Sequence, residues 1–190
     1  MRSLFVTKLY QAMIDDAALL GELAHSIRTL ADDDHAGRHW SREHRYPGYT
    51  SYASLNDLPK RDPAFAELAK ILAGHAAKFA KESGFEPPRK PRLDSLWVNL
   101  LKAGGQHSGH IHPHSIVSGT LYVEVPQGTG AIRFEDPRLP LMMAAPRRPD
   151  TFVTVEPRAG LLLMWESWLR HEVLPGTGKG ERLSISFNFA

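Results

Sequence analysis

The spacing of apolar residues changes character near Arg92. Before it, Leu19, Leu20, Leu23, Ile27 and Leu30 recur at helical intervals, which predicts an amphipathic helix from an N-cap at Asp15 or Asp16 to about Leu30. Phe65, Leu68, Ile71, Leu72 and Phe79 form a second stripe. Asp62 can cap this helix, Pro63 suits its first position, and Gly84 suits the left-handed residue that stops it. After Arg92 the period shortens to that of strands, predicted at 96–101, 116–125, 131–135, 152–155, 161–165, 172–174 and 182–189. Glycine-bearing turns at 104–105, 127–130, 158–160 and 176–180 separate them. Many short strands without intervening helices imply a mainly β fold, a sandwich or barrel, with the N-terminal helices covering one sheet.

Between the helices, residues 37–52 are too rich in Gly, Pro and Tyr to extend either helix and read as a loop. Trp40, Tyr46, Tyr49 and Tyr52 either make it a lid over a binding site or pack it onto the barrel. A Pro-rich stretch at 86–91 precedes the strands. The organisation is therefore one domain over 1–190, with a helical elaboration and loop at 1–92 and a β core at 93–190.

A chain of 190 residues with 42% hydrophobic residues can bury a substantial core. Lys and Arg total 23 against 21 Asp and Glu, a near balance that gives no reason to expect nucleic acid or an anionic membrane as a partner. No long apolar run suggests a membrane span or a leader, so a soluble, cytoplasmic protein is expected. Cysteine is absent, which removes disulfides, thiolate metal sites and a cysteine nucleophile. Metal chemistry would fall to the ten histidines. His25 and His75 lie on the helices and read as ordinary histidines, and His35, His39 and His44 show no ligand spacing.

His110 and His112 do. Residues two apart on a strand share a face, so both imidazoles can address one ion. His171 can join them, coming after a turn that follows the 161–165 strand. Three protein ligands with open positions describe a catalytic metal site rather than a closed structural one. On the last strand, Leu183, Ile185, Phe187 and Phe189 alternate with Arg182, Ser184, Ser186 and Asn188. If helices cover the apolar side, the polar side faces the interior, and a buried arginine there calls for an anion, best a bidentate carboxylate. A surface ion pair between Arg182 and Glu172 is the simpler alternative. Glu135 and Asp136, just before Pro137, suit a strand end and turn, while Trp165 and Trp168 flank the approach to His171.

These residues resemble the double-stranded β-helix, or jelly-roll, oxygenases that use Fe(II) and 2-oxoglutarate. The likeness rests on Trp97-Val-Asn99, Gly109-His-Ile-His-Pro113, Ser118-Gly-Thr-Leu-Tyr-Val123, Phe134-Glu-Asp-Pro137, His171-Glu-Val173 and Glu181-Arg-Leu-Ser184. It covers most of 93–190 and extends more faintly to Gly48-Tyr-Thr-Ser-Tyr52. The resemblance implies a jelly-roll, cupin-like metal-binding core at 93–190 and Fe(II) held by His110, His112 and His171. It implies that Arg182 and Ser184 hold the distal carboxylate of the co-substrate 2-oxoglutarate, with Tyr122 and Asn99 as further contacts. The activity implied is hydroxylation of a small-molecule or peptide substrate, coupled to decarboxylation of 2-oxoglutarate to succinate; a homodimer is compatible with it.

The chain departs from the common family pattern at His112, where a carboxylate is usual. Three neutral ligands leave the ion's full charge to attract an anionic chelate. His114, two residues beyond His112, is an alternative to His110. Other readings of the cluster are a cupin-like three-histidine dioxygenase that needs no 2-oxoglutarate, and a catalytically silent jelly-roll module with a structural or captured metal.

Overall fold

The computed structural model describes residues 1–86, 90–146 and 148–190; part of the Pro-rich stretch, residues 87–89, lies outside the described residues. In chain order the elements are β1 (Leu9–Met13), α1 (Ala17–Asp33), α2 (His35–Glu43), β2 (Gly48–Thr50), α3 (Pro63–Ser83), β3 (Leu93–Leu101), β4 (His107–His110) and β5 (Val117–Glu124). They continue with β6 (Ile132–Glu135), α4 (Leu139–Ala144), β7 (Phe152–Val155), β8 (Leu161–Glu166), β9 (His171–Val173) and β10 (Arg182–Phe189). The strands form two antiparallel sheets, ordered β1-β8-β5-β10-β3-β2 and β4-β9-β6-β7. Together they make the double-stranded β-helix that the sequence resemblance implied.

Alternation assigns the two faces of the larger sheet. Leu96, Val98, Leu121, Leu162, Leu183, Ile185 and Phe187 pack with Leu23 and Ile27 of α1 and Phe65, Leu68 and Leu72 of α3 in one apolar cluster. A smaller cluster, including Tyr122, Leu163 and Trp165 from the larger sheet and Ile132 and Phe134 from β6, fills part of the space between the sheets. The helices thus seal one face of the sheet and leave its polar face for a cavity.

The helix ends follow their sequence signals. The Asp16 carboxylate accepts from the Leu19 N–H at 3.0 Å, and that of Asp62 accepts from the Ala64 N–H at 2.8 Å. Gly84 closes α3 in the left-handed region at φ 76°. Gly119 is demanded by packing: a Cβ there would lie 2.4 Å from the Phe187 ring and 2.5 Å from the Leu163 carbonyl oxygen. Neither neighbour can swing aside freely, so Gly119→Ala should destabilise the protein by about 1–3 kcal/mol. Urea unfolding monitored by circular dichroism checks this; an unchanged midpoint would contradict the packing.

Residues 37–52 are not a continuous loop. The Asp34 carboxylate accepts from the Gly37 N–H at 3.0 Å and starts α2, so this glycine lies in the first turn of a helix rather than in a loop. Asp34 also accepts from the hydroxyls of Tyr49 and Ser54, which ties α2 to the segment around β2. The β half also contains the short helix α4, whereas the sequence suggested strands alone. Strands β1, β2 and β4 were not anticipated either. β9 begins at His171, one residue earlier than expected, because this histidine is paired with both β4 and β6.

Candidate metal centre and co-substrate pocket

Strands β4 and β9 pair so that His110 lies directly opposite His171. His112 follows the end of β4, held by its own N–H donating to the Ser167 carbonyl at 3.0 Å. One nitrogen from each of His110, His112 and His171 falls within a common 4.8 Å. The Nδ1 atoms of His110 and His171 lie 2.8 and 2.9 Å from the Ser108 and Leu169 carbonyls. Those carbonyls favour the Nδ1–H tautomer and leave each Nε2 lone pair for an ion, the usual outer support of a metal-bound imidazole. His112 Nε2 and His171 Nε2 are 3.3 Å apart. This donor set fits a metal with open positions.

His114 stands apart from the cluster. It is exposed and adopts the left-handed region at φ 68°. Trp165 is buried and packs edge-on against His171 at 4.6 Å, whereas Trp168 is exposed and donates its indole N–H to Glu166. Glu135 and Asp136 form ion pairs with Arg170 and Arg138.

Arg182 opens β10 and is only 3% exposed. Glu172 does not meet it, being paired with Arg133 at 2.5 Å, so the surface ion-pair alternative fails. The Arg182 guanidinium donates to the Gly130 carbonyl at 3.3 Å and lies 5.6 Å from the Tyr122 ring centroid, but its Nε has no partner among the described residues. Among the described residues no carboxylate pairs with it. Burial accordingly pulls its pKa below the usual arginine value. An unmatched buried guanidinium is costly and suits an anion brought from outside.

Ser184 sits one pleat further along β10, opposite Asn99 of β3 and Tyr122 of β5. The three residues anticipated around Arg182 therefore form one cross-strand row in the cavity wall. Asn99 is already engaged by the protein. Its carbonyl accepts from the hydroxyls of Thr50 and Tyr46, and its amide donates to Ser186. It acts on the row by holding its neighbours, while Ser184 and Tyr122 face the cavity.

Two further cavity residues lie outside the predicted ligand set: Tyr46, expected only as a lid or packing residue of the 37–52 segment, and His107, which carried no sequence signal. Tyr46, beyond α2, lies 2.7 Å from His107 Nε2, and both are near Arg182. Burial first, then Arg182 and His110, push His107 down to about 3. Burial and His110 likewise push His171 to about 3 and His112 to about 4.

These shifts have a definite sign. Below the ordinary histidine pKa of 6.5 the unfolded chain takes up protons that folded His107 and His171 refuse until about pH 3. Unfolding is then favoured by up to about 1.4 kcal/mol per pH unit for each group. The melting temperature of the metal-free protein should fall from pH 6.5 towards pH 4, with a shallower fall in His107→Gln. Equal slopes for both proteins would contradict the assignment.

The cavity has a volume of about 580 Å³, within the range of small-molecule sites. Residues 95–188, which carry both histidine groups, Arg182 and the polar row, match the family described as "Putative 2OG-Fe(II) oxygenase". This core belongs to the 2OG-Fe(II) oxygenase family. Its fold recurs in a Pseudomonas putida prolyl-4-hydroxylase, at 21% identity over 96% of this chain and 92% of that one, with a TM-score of 0.68. It recurs in the non-heme alpha ketoglutarate dependent epimerase SnoN from nogalamycin biosynthesis, at 19% identity over 97% and 78% of the two chains and a TM-score of 0.67. HygX from Streptomyces hygroscopicus, solved with nickel and 2-oxoglutarate bound, matches at 14% identity over 97% and 82%, with a TM-score of 0.61. At these identities the oxygenase structures share the fold with this chain. No curated protein sequence matches it. Among the described residues no helix is long and apolar enough to cross a membrane.

Proposed function

We propose that this oxygenase hydroxylates a small-molecule or peptide substrate with Fe(II) held by His110, His112 and His171 and with 2-oxoglutarate as co-substrate. Arg182 and Ser184 bind the distal carboxylate of 2-oxoglutarate, and Tyr122 lines its path. The observation that carries this reading is the buried Arg182 guanidinium with an unpartnered Nε on the same cavity wall as Ser184. A dicarboxylate with one end on the metal and the other on Arg182 would satisfy both.

When bound, iron and 2-oxoglutarate supply oxidative decarboxylation, which splits O2 between succinate and a hydroxylated substrate and releases carbon dioxide. The chain's own residues orient and exclude water. The Ser108 and Leu169 carbonyls fix the imidazole rings of His110 and His171. Trp165 and Phe134 pack on His171 and keep its inner side dry. Asn99 anchors Tyr46 and Ser186 beside the co-substrate path.

The test is aerobic incubation with Fe(II) and 2-oxoglutarate, measuring succinate. Slow succinate formation that needs both additions is expected even without the primary substrate. Its absence at full metal loading would overturn the proposal, and metal-dependent substrate oxidation without 2-oxoglutarate would replace it with the cupin-like alternative.

A further inference from the structure

The proposed iron and co-substrate account for the inner end of the cavity and leave its mouth unexplained. There, Trp40 and His44 of the α2 end and Tyr52 beyond β2 stand beside Trp97 of β3. Trp40 stacks on His44 at 4.1 Å and meets Tyr52 at 6.3 Å. Tyr52 meets the Trp97 ring at 5.2 Å, and Trp97 lies 6.0 Å from His112. These rings make a continuous aromatic wall from solvent to the histidine cluster. Its outer member, Tyr52, is 54% exposed, so the wall is not merely core packing.

The charge of the cavity is one-sided. Among the described residues no Asp or Glu lines it, and the arginines that do are Arg182 inside and Arg45 at the mouth. Arg45 has an unusual backbone. The Tyr46 N–H donates to the Ser41 carbonyl at 2.8 Å and the Arg45 N–H to the Arg42 carbonyl at 3.1 Å. This is a Schellman ending of α2, whose left-handed position glycine ordinarily fills. Arg45 occupies it at φ 51°. Among the described residues no carboxylate pairs with Arg45, and being exposed it adds nothing to the core. A disfavoured backbone conformation that sets an unpaired cation at a cavity mouth suits binding.

We propose that the mouth binds the primary substrate as a flat aromatic or heteroaromatic ring bearing an acidic group. The ring lies against Trp40, Tyr52 and Trp97, and the anion meets Arg45. The wall gives a ring stacking area that an aliphatic acid forgoes. A cationic ring would meet, among the described lining residues, two arginines and no carboxylate. The assignment rests on the oxygenase reading for the reaction but on the mouth alone for binding.

The experiment uses anaerobic, Fe(II)-loaded full-length protein saturated with 2-oxoglutarate. Calorimetry compares indole-3-propionate with tryptamine, phenylpropionate with phenethylamine, and both acids with hexanoate. Each aromatic acid should bind at least tenfold more tightly than its amine and than hexanoate. That preference should vanish in Arg45→Ala, return in part in Arg45→Lys, and weaken in Trp40→Ala. No preference, or one that persists in Arg45→Ala, overturns the proposal. So does a preference lost in Arg182→Ala but not in Arg45→Ala, because the acid would then occupy the co-substrate pocket. If 2-oxoglutarate itself fails to bind while an Arg45-dependent preference remains, the oxygenase reading fails and the mouth assignment stands.

Discussion

Arg182→Met is expected to raise the 2-oxoglutarate concentration for half-maximal succinate formation by about a hundredfold or more, the equivalent of about 3 kcal/mol. The loss is large because the partner carboxylate would enter a buried pocket in which, among the described residues, Arg182 is the cation of the inner wall and Arg45 stands only at the mouth. Folding should respond differently. In the free protein the guanidinium is buried, its Nε has no partner among the described residues, and it donates to the Gly130 carbonyl. An apolar chain of similar volume should therefore leave the melting temperature of the free protein unchanged or slightly higher. What should vanish is the rise in melting temperature that 2-oxoglutarate gives the metal-loaded wild type. A purely structural role for Arg182 would show the reverse, with a lower melting temperature and an intact response to 2-oxoglutarate.

The second large effect concerns the metal. His171→Ala should weaken Fe(II) retention by about a hundredfold or more, since loss of outer-shell support alone typically costs 10–100-fold. Succinate formation should fall below detection. Metal content after desalting, read by atomic emission, measures this. His114→Asn is the matched control, because asparagine tolerates the left-handed backbone and His114 lies outside the cluster. Its metal content should equal the wild type. A loss in His114→Asn with retention in His110→Ala would exchange those two ligands.

Much of this arrangement was legible in the sequence because two periodicities were clean. The unbroken alternation of β10 separated Leu183, Ile185, Phe187 and Phe189 from Arg182, Ser184, Ser186 and Asn188, and the helices do cover the first set. The caps of α1 and α3 are local hydrogen bonds, so sequence alone could locate them. The His110 and His112 spacing survived even though β4 is irregular between His107 and His110 and His112 lies beyond its end. Here, same-face geometry was a poorer description than the outcome.

What escaped the sequence depends on contacts between distant segments. Strand β1 exists because Leu9–Met13 pairs with β8, far away in the chain. Helix α2 was hidden by Gly37 and by aromatic residues that serve the cavity rather than a helical stripe. Asp34 secures it through both its own helix cap and the hydroxyls of Tyr49 and Ser54. Tyr46 and His107 became neighbours only through the fold, and no motif links them. The resemblance implied Asn99 as a co-substrate contact, but that its side chain is spent on Thr50, Tyr46 and Ser186 required the structure.

The most direct test of one pocket for iron and 2-oxoglutarate is the visible absorption spectrum of the anaerobic Fe(II) protein during titration with 2-oxoglutarate. A saturable metal-to-ligand charge-transfer band should appear, be lost in His171→Ala, and require far more 2-oxoglutarate in Arg182→Met. A fully Fe(II)-loaded wild type that develops no band would contradict the account.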